Sequence, residues 1–379
     1  MKRTGRLVAA TLATAGILYL AVPFSYAAES KPGWQAEWEK VVAGAKKEGQ
    51  VNVYIWGTTT ILDSGAFQKA YPGIKVLGVP AVGPQLAYRI LSERRAGKFL
   101  ADVVIDGLPN TYPTLQRAGA LDPIKPVLLL PEVLDESKWW GGKHRYADPE
   151  GEHVFINVGA PQSGGISYNT KLVDPKSFQS FWDFLNPKWK GKLLVWDIRG
   201  NPGRGSAAFY FFYHNPQLGP NFLRRLFAEM DPVLFRDERQ ATNWLAVGKY
   251  PLCFACDSRR GKDQGLPVDL FGHMKEGAGM TPRQFTFALI NKAPHPNAAK
   301  LFVNWYLSRD GQTALQRYLV AAGENPPDSL REDISKEMLP ADSRRIKGLS
   351  YIPLDRAELL DVQPIYKVVN EGLKQAGRD

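Results

Sequence analysis

From Gln50 to Gly107 the chain alternates two kinds of segment in a fixed order. "QVNVYIW" alternates in polarity, is rich in β-branched and aromatic residues, and reads as a strand ending at Gly57. "SGAFQKAYPG" follows as a helix, "IKVLGVPA" as a strand, "PQLAYRILSERRAGK" as a helix and "ADVVIDG" as a third strand. Ahead of them "GWQAEWEKVVAGAKKEG" is a helix closed by Gly49, and behind them "NTYPTLQRAGAL" is a short one. Strand–helix–strand–helix–strand order predicts an α/β fold built on a mostly parallel, doubly wound sheet.

A second series lies further along. Residues 126–165 are less regular, with the strand "HVFINVGA", and "GGISYNTKLV" is another strand. "GKLLVWDI", "SAAFYFFYHN", "NFLRRLFAEM", "PVLFRDE", "ATNWLAVGKY" and "PLCFACDS" then repeat the α/β alternation. The chain passes through "QFTFALINKAP" into one long helix, "HPNAAKLFVNWYLSRDGQTALQRYL". There is no internal repeat and no low-complexity linker. Two α/β series in 379 residues therefore suggest two lobes joined by crossing strands.

Residues 1–27 differ from the rest. Lys2, Arg3 and Arg6 precede an apolar run from Leu7 to Phe24, and small residues stand at Ser25-Tyr26-Ala27. That is the pattern of a secretory signal peptide cleaved near Ala27, so the mature chain is expected in the periplasm. The formal net charge is +10, but its basic residues are scattered among acids and form no nucleic-acid stripe. Cys253 and Cys256, the only cysteines, fall in what reads as a buried strand. Residues three apart on a strand face opposite ways, with Cα atoms roughly 10 Å apart, beyond disulfide reach. The pair is expected as buried free thiols, with a structural disulfide or a redox pair as alternatives.

Motifs for catalysis are missing. The five histidines have no H-E-x-x-H spacing, and there is no G-x-S-x-G elbow and no G-x-x-x-x-G-K-[ST] loop. "GNPGRG" has the glycine content of a dinucleotide fingerprint in the reverse order. No cofactor, no metal site and no catalytic residue is expected. A secreted enzyme on the same scaffold is the alternative from another class.

Several stretches resemble one family. "EWEKVVAGAKKEGQVNVYIWG", "LAYRILSERRAGKFLADVVIDG", "SFWDFLNPKWKGKLLVWDIRGNPGRGSAAFYF" and "INKAPHPNAAKLFVNWYLSRDGQTALQ" are similar to extracellular solute-binding proteins of bacterial ABC importers, of the group that includes ferric-ion-binding proteins. The resemblance runs over roughly residues 35–320. It implies a monomer of two lobes, residues 28–160 with 286–379 and residues 161–285, that closes over a small solute and delivers it to a membrane permease. In ferric-binding members adjacent tyrosines follow the strand that here ends at Cys256; this chain has Asp257-Ser258-Arg259-Arg260 instead. An anionic or polar solute is thus expected ahead of ferric ion or a ferric chelate.

In a doubly wound lobe the solute sits beyond the carboxyl ends of strands. The candidates are Thr58, Thr59 and Thr60, Gln85, Asp106, the loop Gly203, Arg204, Gly205 and Ser206, and Asp257, Ser258 and Arg259. Thr59 or Thr60 could equally cap a helix, Asp106 could be an ordinary turn, and Asp257–Arg259 a solvated one. Arg204 could clamp a carboxylate or phosphate bidentately. Tyr168, in the "SYNT" strand taken as a hinge, could face the cleft or pack the hinge. Tyr210 and Tyr213 read as a core face.

Overall fold

The computed structural model describes residues 33–57, 59–82, 84–162, 164–200, 206–282, 285–321 and 326–378. The expected signal peptide lies outside them. The first sheet begins with β1 (Gln50–Trp56), whose interior residues Val51 to Ile55 are all buried. It is flanked in parallel by β2 (Lys75–Ala81) and β3 (Val103–Asp106). The edge strand β2 alternates toward solvent, as a strand covered on one side should. β4 (Leu121–Asp122) and β5 (Val154–Ile156) complete the first pass.

"HVFINVGA" is two strands, not one. After Asn157 the chain leaves the first sheet and continues as β6 (Val158–Gln162) in a separate one. It enters the second lobe as β7 (Ser167–Asn169), β8 (Leu193–Trp196), β9 (Val233–Phe235), β10 (Leu252–Phe254) and β11 (Val268–Leu270). Their sheet has the order β11-β7-β10-β8-β9, with β8 parallel to both β9 and β10. The chain returns as β12 (Ala278–Thr281), antiparallel to β6, and then as β13 (Thr286–Ile290). β13 runs antiparallel to β3, which makes the first sheet mixed. β14 (Asp328–Ser329) and β15 (Tyr351–Pro353) join β6 and β12 in a small crossing sheet between the lobes.

The expected long helix is also two, Pro296–Leu307 and Arg309–Ala321, broken at Ser308 with ψ 167°. The Ser308 hydroxyl accepts from the Gly311 amide, capping the second helix. A Cβ on Gly311 would lie 1.9 Å from the Trp305 carbonyl oxygen, so only glycine fits this corner.

Two hydrophobic cores mark the lobes, and the tail does not divide as expected. Residues 286–379 are expected in the first lobe, but Leu354, Ile365, Val368, Val369 and Leu373 are buried in the second core. The Gln363–Gln375 helix puts its apolar face on the Gly219–Glu229 helix there. On the way it crosses between lobes a third time. Arg145 of the first lobe holds buried Asp355 through two hydrogen bonds of 2.8 and 3.0 Å, and the Ala357 amide donates to the Ala147 carbonyl. Leu360 packs on the first core while its carbonyl accepts from Tyr210 of the second lobe.

Candidate functional site

The carboxyl ends of β8, β9 and β10 share one edge of the second sheet. With the helices Glu238–Ala246 and Arg259–Asp263 they line a pocket of about 1160 Å³, beyond the usual ligand-pocket range. Its wall includes Trp196, Arg236, Arg239, Asp257, Arg259 and Arg260.

Asp197, one residue past β8, organises this edge. It is buried, and accepts from Arg236 (Nη2 2.8 Å, Nε 3.1 Å) and from Arg199 Nε (2.9 Å). Burial alone would raise its carboxyl, but the two guanidiniums overturn that and hold it below the ordinary range. The Arg236 side chain is 67% exposed, so its outer face is open to the pocket. It lies over Gly200, where a Cβ would stand 2.6 Å from Nε. Four more acids line the pocket: Asp237 caps its helix by accepting from the Arg239 and Gln240 amides, Asp257 pairs with Arg259 at 2.6 Å, Glu238 accepts from the Asp257 amide (3.4 Å), and Asp263 is exposed. Arg239 and Arg260 make no ion pair with a described residue.

Of the expected residues, the structure brings Asp257 and Arg259 to this pocket. Ser258 lies between them fully buried, and its Oγ finds no partner among the described residues. Thr58, Gly203, Arg204 and Gly205 lie outside the described residues, while Thr60 and Ser206 open helices. Thr59 donates its hydroxyl to Asp63 (2.5 Å), an intrahelical role, and Gln85 is exposed at the start of its helix.

Two candidates need correction. Tyr168 is not on a hinge strand: β7 lies inside the second sheet, and the ring is buried against Phe271 with centroids 4.6 Å apart. Asp106 does not present its carboxylate to solvent, being fully buried. Its Oδ1 accepts from the Gly107 amide and Asn110, and the tail turn Ala357–Leu360 packs on Leu108–Asn110 beside it. Burial pushes this carboxyl up to about 6, only partly offset by those donors.

The cysteines are corrected as well. Cys253 and Cys256 form a disulfide with Cα atoms 5.7 Å apart. β10 stops at Phe254, and Ala255 turns left-handed (φ 53°), which folds Cys256 back onto the face of Cys253. Extended geometry through all four residues was the faulty premise.

Sequence reasoning missed Asp197, Arg236, Arg239 and Arg260. "WDIRG" and "LFRDE" put charged residues directly after buried strands, the same cue that singled out Asp257–Arg259. Among the described residues the one His/Cys/Asp/Glu group with metal-like spacing is Asp148, Glu150 and His153, in the loop before β5 and outside this pocket. Asp148 there accepts from the Glu152, His153 and Val154 amides, which closes the loop.

Two α/β lobes joined by crossing strands thus carry a charged pocket at the strand ends of one of them, the architecture of a two-lobed binding protein. The chain matches the family model of bacterial extracellular solute-binding proteins over residues 64–318, and it belongs to that family. No curated protein matches it by sequence. Its fold is similar to that of apo FutA2 from Synechocystis PCC6803 (TM-score 0.59, 18% identity, covering 86% of this chain and 98% of that one). It is also similar to Trichodesmium IdiA (FutA) in complex with iron and citrate (0.57, 18%, 87% and 98%). A third similar structure is the periplasmic binding protein AfuA from Actinobacillus pleuropneumoniae with fructose-6-phosphate bound (0.52, 18%, 87% and 99%).

Proposed function

We propose that this chain is the periplasmic solute-binding component of an ABC importer, taking a small anionic solute at the second-lobe pocket and handing it to a membrane permease. One observation carries the reading: Arg236, Arg239, Arg259 and Arg260 gather on the wall of one pocket, where Asp197 and Asp257 pair with Arg236 and Arg259, and Arg239 and Arg260 make no ion pair with a described residue. Planar guanidinium forks recognise carboxylates and phosphates bidentately. Closure of the lobes follows from tighter solute binding in the closed state, with no bond made or broken.

A ferric chelate is the second reading, favoured by the relative whose structure holds iron and citrate. Carboxylates of a chelate would meet the same arginines. A bare ferric ion would need a set of oxygen anions. Among the described residues no group of three His, Cys, Asp or Glu side chains with metal-like spacing lies at this pocket, and Asp197, Asp237 and Asp257 are engaged with cations or backbone donors.

Mass spectrometry of solute retained by gently purified protein tests the reading, followed by thermal-shift screening with sugar phosphates, phosphonates, carboxylates and ferric citrate. An anion is expected to raise the melting temperature of the wild type and not of Arg236→Ala. Stabilisation by neutral or cationic solutes alone would sink the reading. Stoichiometric recovery of unchanged solute argues against the enzyme alternative.

A further inference from the structure

We infer that the Cys253–Cys256 disulfide is a positioning element of the solute pocket, fixing the turn that ties the crossing strand β6 to Asp257 and Arg259. The inference rests on reading that pocket as the solute site.

Asp257 and Arg259 stand one and three residues beyond Cys256, and both line the pocket. Where they lie depends on how the chain leaves β10. It leaves through Ala255 at φ 53°, a conformation that a residue with a Cβ seldom adopts. The turn delivers Cys256 to the start of β7: its amide donates to the Gly165 carbonyl (2.8 Å), and its carbonyl accepts from Ser167 Oγ (2.8 Å). Gly164 and Gly165 are themselves left-handed, at φ 81° and 56°, within three residues of the end of β6. A Cβ on Gly164 would lie 2.8 Å from Phe181 and 2.9 Å from Phe212, so this junction is packed without slack. The disulfide therefore closes around the point where the crossing strand enters the lobe and the pocket loop departs.

General stapling does not account for its placement. The entropy removed from an unfolded chain grows with loop length, and a loop of four residues is at the short end. Exchange chemistry with a solute does not account for it either, since both cysteines are at most 1% exposed. What the bond does locally is hold an uncommon backbone conformation at the edge of the pocket.

Amide hydrogen exchange on the solute-free, full mature chain tests this. In Cys253→Ala/Cys256→Ala, exchange across 255–263 is expected to accelerate at least tenfold, with β1 and β8 unchanged. Adding Ala255→Gly to that variant should recover a threefold or greater slowing, because glycine accepts the left-handed turn. With the bond intact, Ala255→Gly alone should leave exchange at 255–263 as in the wild type. That single change keeps the test open if the cysteine-free chain does not fold. The inference is overturned by unchanged exchange at 255–263 in the cysteine-free chain, by acceleration shared equally with β1 and β8, by no slowing from glycine, or by faster exchange in the bonded Ala255→Gly chain. Because no solute is present, any of these results leaves the anion reading to be judged by Arg236→Ala.

Discussion

The two lobes end their parallel strands in opposite chemistry. In the first, β3 delivers Asp106 to a position where carboxylate and backbone are both enclosed, with Thr286 Oγ1 donating to its carbonyl. In the second, β8 delivers Asp197, also buried, but its partners Arg199 and Arg236 reach outward from it. An ion pair with its acid inside and its base outside gives a face a positive sign without leaving a buried charge uncompensated. A carboxylate enclosed without a cation contributes no such sign, and is driven toward its neutral form.

The largest effect that would break this contrast is Asp197→Ala. It should cost on the order of 3 kcal/mol in urea denaturation, and should abolish the anion-induced thermal shift by releasing Arg236. Asp197 is held below its ordinary range, so its contribution is full above the unfolded value and is lost as pH falls through the folded one. The stability gap between wild type and Asp197→Asn should close in acid; a gap that persists there would remove the charge argument.

Asp106→Asn sharpens the contrast from the other side. With the folded carboxyl raised to about 6, the wild type loses stability as pH rises from about 4 through about 6. The asparagine variant should therefore be the more stable chain at pH 8, by about 3 kcal/mol, and the difference should vanish near pH 4. Paired denaturation curves at the two pH values decide it. A destabilised variant at pH 8 would mean the charged form is accommodated.

Arg239→Ala and Arg260→Ala come next. Each should weaken the best anion roughly tenfold in calorimetric titration, about 1.4 kcal/mol, while moving stability by no more than about 0.5 kcal/mol. Full affinity in both variants would confine the site to Arg236 and Arg259. The smallest effects belong to the first lobe: Thr59→Ala and Gln85→Ala should each change affinity less than twofold. A larger loss in either would give that lobe a share in binding.

The α/β class and most strands were legible because buried strands are short, apolar and bounded by glycine or charge, as "VNVYIW" and "KLLVW" are. Where one apolar run serves two sheets the periodicity carries no mark of the break, which falls at Asn157 inside "HVFINVGA". β12, "AGMT", lacks the bulky residues that identify a strand because Gly159 and Gly279 belong to the tightly packed crossing sheet. The site was half legible. Strand-end position found Asp257 and Arg259, but which charges are enclosed by the third crossing and which stay outside is a tertiary fact. Asp106 and Asp197 look alike in sequence and differ only in what folds over or against them.

That third crossing also settles where residues near the two ends of the described chain are carried. The Gly33–Glu48 helix packs on Pro296–Leu307 in the first lobe. Arg378, after the last helix, donates to Asp231 and to the Pro232 carbonyl in the second. One dye near residue 33 and another near 378 would thus ride on separate bodies. The energy transferred between them would track solute capture without a label near the arginines.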